Sequence, residues 1–100
     1  MMKISIVESR TQRRLILEGK LVAPWTAELT PACEKAKADL EGRELLVVVK
    51  NLVAINQAGE HALLQLMKDG IKFQGCDVFS KHILRDLARR VRRNTQETNR

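Results

Sequence analysis

The sequence predicts a small α/β domain: a mixed sheet of about four strands, in the chain order β-β-α-β-α-β-α, covered by helices. Three observations lead there. Segments with strand-like alternation and segments with helical apolar spacing succeed one another along the chain. An unbroken aliphatic run, Leu45-Leu46-Val47-Val48-Val49, sits in the middle and suits a strand buried on both faces. And 100 residues, 44% hydrophobic and 30% charged, are the size and composition of one ordinary globular core. With only Trp25, Phe73 and Phe79 as aromatics, that core has to be aliphatic.

Residues 3–8 alternate, with Ile4 and Ile6 on one face, and predict the first strand. Residues 14–18, with Leu15, Ile16 and Leu17, predict the second. The polar stretch Ser9-Arg10-Thr11-Gln12-Arg13 between them reads as a hairpin turn. Gly19 ends the second strand. From residue 25 to residue 40, Trp25, Leu29, Cys33, Ala36 and Leu40 fall at helical spacing, and Gly42 is the natural stop. Pro31 leaves two readings. Either the helix kinks there, or a short turn precedes a main helix with Thr30 as N-cap and Pro31 in its first position.

After the central strand, residues 50–55 return toward a loop, and Asn56 is a good N-cap for the next helix. That helix, residues 57–69, carries Ala62, Leu63, Leu66 and Met67 on one stripe and is stopped by Gly70. Residues 71–74 predict a fourth strand, with Ile71 and Phe73 on one face. Ser80 is placed to cap a last helix whose stripe is Ile83, Leu84, Leu87, Ala88 and Val91. Residues 1–93 make one domain. Residues 94–100 have no periodicity and are expected to fray.

Little in the chain announces chemistry. No apolar run approaches the ~20 residues that cross a bilayer. The first residues meet Lys3 and Glu8 too soon for a signal-peptide apolar region, so the expected location is cytoplasmic. Cys33 and Cys76 have no CxxC spacing and read as reduced, buried thiols, although sequence alone leaves a disulfide between them open. The two histidines, His61 and His82, stand in no metal-binding pattern and read as solvated surface residues. The five glycines are scattered, and none forms a phosphate-binding loop. No catalytic residue, metal site or cofactor is therefore expected. Gly59 alone is out of place. It sits in the first turn of a good helix, where glycine costs about 1 kcal/mol relative to alanine, and so marks a close approach by another backbone or a bound group.

The net charge of +6 is uneven. Residues 1–84 carry twelve Lys and Arg against ten Asp and Glu, whereas residues 85–100 carry six Arg against two acids. Basicity thus belongs to the last helix. Arg89, Arg90, Arg92 and Arg93 have three readings. They are a solvated helix end that complements its own dipole, contacts to an acidic partner protein, or a nonspecific nucleic-acid surface that acts through phosphate attraction.

Residues 48–67, VVKNLVAINQAGEHALLQLM, resemble the signature of the STAS family, the anti-sigma-factor-antagonist domains. There a buried strand runs into an Asp-Ser-x-Gly loop and a helix begins at once; here the loop reads Asn56-Gln57-Ala58-Gly59. Leu17-Glu18-Gly19-Lys20-Leu21 is similar to the family's second strand and the glycine after it. Pro24-Trp25 then opens the first helix, and Gly70 precedes the next strand.

The resemblance implies a STAS-like fold and a non-catalytic protein-interaction module in bacterial signalling, whose partner is an anti-sigma factor, a related kinase or another signalling protein. Docking would fall on the loop and helix of residues 56–67, above all on Asn56, Gln57, Ala58, Gly59, Glu60 and His61. In the family, phosphorylation of the loop serine releases the partner, because a phosphate adds nearly two negative charges to the contact surface. Here Asn56 replaces the motif's Asp, Gln57 its phosphoacceptor Ser, and Val48 the upstream Asp. No Ser, Thr or Tyr lies between Lys50 and His61. The scaffold is expected without the switch. The alternative function is a small nucleic-acid-associated protein using the arginine-rich last helix.

Overall fold

The computed structural model describes residues 2–98, with side chains through Arg92. The Arg93 side chain, residue 1 and residues 99–100 lie outside the described residues. The chain is α/β. It has β1 (Met2–Glu8), β2 (Gln12–Leu21), a 3-10 turn (Trp25–Glu28), α1 (Leu29–Lys37), β3 (Glu44–Ile55), α2 (Gln57–Lys68), β4 (Lys72–Gly75) and α3 (Val78–Thr98).

The aliphatic run lies where its composition requires it. Leu45, Leu46, Val47, Val48 and Val49 are all buried in β3. β3 pairs in parallel with β2 on one side and β4 on the other, while β1 returns antiparallel along β2, giving a mixed sheet in the order β1-β2-β3-β4. Both parallel crossovers step the same way across the sheet. Right-handed crossovers in one direction place their helices on one face, and a single core results. Leu15, Leu17, Leu45, Val47 and Val49 meet Leu29, Cys33 and Ala36 of α1, Leu63 and Leu66 of α2, and Leu84 and Leu87 of α3. Leu46 and Val48 point to the other face, beside Arg14, Ile16, Lys72 and Gln74 in register.

Several boundaries move for physical reasons. β2 starts at Gln12, before the expected Arg14, because Arg13 belongs inside rather than in the turn. Its guanidinium donates to Glu8 Oε1 at 2.6 Å and to the carbonyls of Ala36 (2.8 Å), Ala38 (2.6 Å) and Asp39 (3.4 Å). Arg13 thereby satisfies the bare Ala36 carbonyl in the last turn of α1 and the carbonyls of Ala38 and Asp39 just past it. With Arg13 bonded in this way and Ala38 extended, α1 stops at Lys37 rather than Leu40. The hydrogen bond and charge of Arg13, and then Arg43, hold the Glu8 carboxyl below its ordinary range.

Pro31 causes no kink. The 3-10 turn takes up the first expected turn, and α1 follows with Glu28, not Thr30, as N-cap. Pro31 falls in the third helical position, where an amide has no intrahelical partner to lose.

β3 does not yield to a loop at Lys50. It continues to Ile55 across a register shift opposite Glu18 and Gly19, with Asn51 at φ 50° and Leu52 returned to the core. β4 lies one residue later than expected, and α3 extends to Thr98, into the segment read as a tail. Cys33 is a buried thiol whose pKa burial pushes up; Cys76 is free too, but exposed rather than buried. No helix among the described residues is long and apolar enough to cross a membrane.

This packing makes Leu87→Ala cost about 2–5 kcal/mol, as emptying a core site does. Arg13→Met should cost about 1.5–3 kcal/mol through lost charged hydrogen bonds. Arg89→Gln should leave urea-unfolding stability unchanged. Equal losses from Leu87→Ala and Arg89→Gln would show that the faces of α3 are misassigned.

Candidate functional site

A single residue, Asn56, separates β3 from α2. Its backbone is extended, its side-chain Oδ1 accepts from Gly59 N at 3.1 Å, and its carbonyl accepts from Glu60 N at 2.9 Å. This is the side-chain cap expected of asparagine at a helix start. A connection this short leaves α2 little freedom of direction.

Gly59 explains how close the helix comes. It is buried, and a Cβ there would collide with the Leu21 carbonyl oxygen and lie 2.8 Å from Ile55 Cγ1. The close approach foreseen from the glycine is therefore made by backbone, the last residue of β2. Asn56 N also reaches Leu21 O, at 3.5 Å. The first turn of α2 rests on the adjoining ends of β2 and β3.

With Gly59, Leu63 and Leu66 turned inward, the opposite stripe is exposed: Gln57, His61, Gln65 and Lys68. His61, Leu64, Gln65 and Lys68 line a shallow hollow of about 360 Å³. The expected site residues thus divide. Asn56 and Gly59 build the junction, Gln57 and His61 face outward, and Ala58 is half-buried. Glu60 turns sideways to Arg90 of α3, at 3.2 Å, and Arg90 also meets Asp86 at 3.1 Å. Leu64 and Gln65 fall inside the 56–67 span expected from the sequence, though they were not singled out there, and Lys68 lies one residue beyond it; all three continue the Gln57–His61 spacing by the helical period.

The arginines of α3 are not equivalent. Arg89, Arg90 and Arg92 are all exposed, but Arg90 is paired with Glu60 of α2, whereas neither Arg89 nor Arg92 forms an ion pair among the described residues. The cap of α3 differs from the expected Ser80. Asp77 caps it, accepting from Ser80 N at 2.7 Å through Oδ1 and from Asn51 N at 2.6 Å through Oδ2, while Ser80 is buried in the first turn. Aspartate is as good an N-cap as serine, so this position was open to sequence reasoning. The Ser80 amide first, and the Asn51 amide with it, hold the Asp77 carboxyl below its ordinary value. Asp77 thus ties the α3 start to the irregular residue of β3.

Among the described residues, no group of three His, Cys, Asp or Glu could hold a metal ion. No protein-family model matches the chain, and no curated protein matches it either.

Gly59→Ala would ordinarily gain about 1 kcal/mol inside a helix. Here it should lower Tm, because the added methyl meets a backbone carbonyl that cannot swing aside; an unchanged or raised Tm would contradict the contact. Asp77→Asn should show a pH signature. A lowered folded pKa contributes stability that is complete above the unfolded value and disappears as pH falls through the folded one. The Tm gap between the natural chain and Asp77→Asn should therefore be full near neutral pH and close as pH falls below 3.8, the ordinary aspartate value. A gap that is constant over that range would contradict it.

Proposed function

We propose that this chain is a STAS-like, non-catalytic interaction module of bacterial cytoplasmic signalling. It docks a protein partner through the start and exposed stripe of α2, without serine phosphorylation there. The observation that carries the reading is the junction itself. A buried parallel strand passes through one capping residue into a helix that presents Gln57, His61, Gln65 and Lys68 to solvent. The strand and helix order agrees with the family's, which supports the resemblance carried by residues 48–67.

The partner class that follows is an anti-sigma factor, a related kinase or another signalling protein. Gln57 supplies an amide where the family has a hydroxyl nucleophile, and an amide forms no stable phosphoester. Its uncharged side chain leaves the surface like the unphosphorylated, partner-binding form. Binding is then always on, or is controlled elsewhere. The nucleic-acid alternative is weakened by Arg90, whose charge is engaged by Glu60 and Asp86.

Two measurements test this. Incubated with an anti-sigma-factor serine kinase and labelled ATP, the natural chain should take up no phosphate within residues 50–61. The double variant Asn56→Asp and Gln57→Ser should take it up, since aspartate preserves the cap and the introduced serine replaces an exposed side chain. Label in the natural chain within that span would overturn the reading. Separately, His61→Glu with Gln65→Ala should weaken capture of the native partner roughly tenfold, the effect of losing a central contact, at unchanged Tm.

A further inference from the structure

A groove of about 470 Å³ runs along α3 where that helix passes the edge strand β4, with Ile71, Phe73, Leu84, Ala88 and Val91 in its walls. It stands apart from the exposed stripe of α2, none of whose residues lines it. β4 is the outermost strand, so among the described residues no further strand closes that side. Three exposed cations, Lys81, Arg85 and Arg92, line it, and no acidic side chain does so among the described residues. Among the described residues none of the three forms an ion pair, and the Lys81 ammonium acts on the Asp77 carboxylate only through space. Arg90 is the contrast, its guanidinium held by Glu60 and Asp86.

We propose that this groove docks an acidic amphipathic helix of a partner protein. An open groove leaves one side of its occupant in water, so the occupant must be apolar on one side and polar on the other along its length. The charges select the kind. Along the helix axis Lys81 and Arg85 stand about 6 Å apart, and Arg85 and Arg92 about 10 Å. An alkyl carboxylate offers one charge to three cations. An extended strand, at about 3.3 Å per residue, meets those intervals after two and then three residues, which turns the last acid to the wrong face. A helix running along α3 offers acids at i, i+4 and i+11 on one stripe, beside aliphatic anchors facing the groove. Complementary charge of this kind sets orientation and partner choice more than affinity.

The test uses the full chain and fluorescent sixteen-residue helical peptides, with leucines on one stripe and glutamates at the first, fifth and twelfth positions. A charge-reversed lysine peptide, an order-scrambled peptide and dodecanoate are the comparisons. The acidic peptide should bind, shift the amides of Phe73, Gly75, Ala88 and Val91, and lose affinity as salt rises. The charge-reversed and scrambled peptides should each bind roughly tenfold more weakly or worse. Lys81→Gln, Arg85→Gln and Arg92→Gln together should give a similar loss at unchanged Tm, while Arg89→Gln changes nothing. The proposal is overturned by no binding of the acidic peptide, by equal binding of the lysine peptide, or by shifts confined to residues 57–68. Dodecanoate that binds the same amides more tightly would assign the groove to a lipid instead. Self-association through those amides would assign it to a second copy.

Discussion

The backbone approach of Gly59 to the Leu21 carbonyl is the contact on which the candidate site depends. Any side chain at that position would lift the first turn of α2 off the end of β2. With glycine there, the helix lies close enough for Asn56 alone to join it to β3 and cap it. The same contact settles the rotation of α2. Once Gly59, Leu63 and Leu66 are inward, Gln57, His61, Gln65 and Lys68 have to be outward. The surface proposed for docking is thus a consequence of a steric requirement in the fold.

Two polar ties hold the remaining elements to the sheet. Arg13 binds the open end of α1 from within β2, and Asp77 binds the start of α3 to the irregular residue of β3. Both place one charged group on several backbone partners, which charge-assisted hydrogen bonds favour. The Glu60–Arg90 pair is different in kind. It is solvent-accessible and contributes little to stability, as exposed ion pairs do. Its consequence is for function, because it removes Arg90 from the basic surface and leaves the flank with Lys81, Arg85 and Arg92 as the accessible positive edge.

The parts of this fold that follow from local pattern were legible. The aliphatic run became the interior strand, the stripes of α2 and α3 became their core faces, and Asn56 became a cap, because hydrophobic period and capping chemistry act over a few residues. What was not legible depends on partners distant in sequence. Arg13 looked like a turn residue, and only the return of α1 over β2 makes it a buried ligand of three carbonyls. β3 outran its expected end because Leu52, Ala54 and Ile55 go on pairing with Gly19, Lys20 and Leu21 of β2 past the irregular Asn51, whose amide donates to Asp77, far along the chain. Gly59 was legible as an anomaly, but its neighbour Leu21 was not. At the site, the residues singled out from the sequence end at His61; Gln65 lies inside the expected 56–67 span and Lys68 just past it, and only the rotation of α2 against the sheet shows that both face outward.

The central claim is that a partner is held by the outward stripe of α2. Hydrogen–deuterium exchange on the chain, alone and in complex with the protein isolated with it from its own cell, tests this most directly. The account predicts that the complex slows exchange in peptides covering residues 57–68, including the first turn beyond the Asn56 cap. A complex that forms while exchange across residues 57–68 is unchanged, with protection only elsewhere on the molecule, would contradict it.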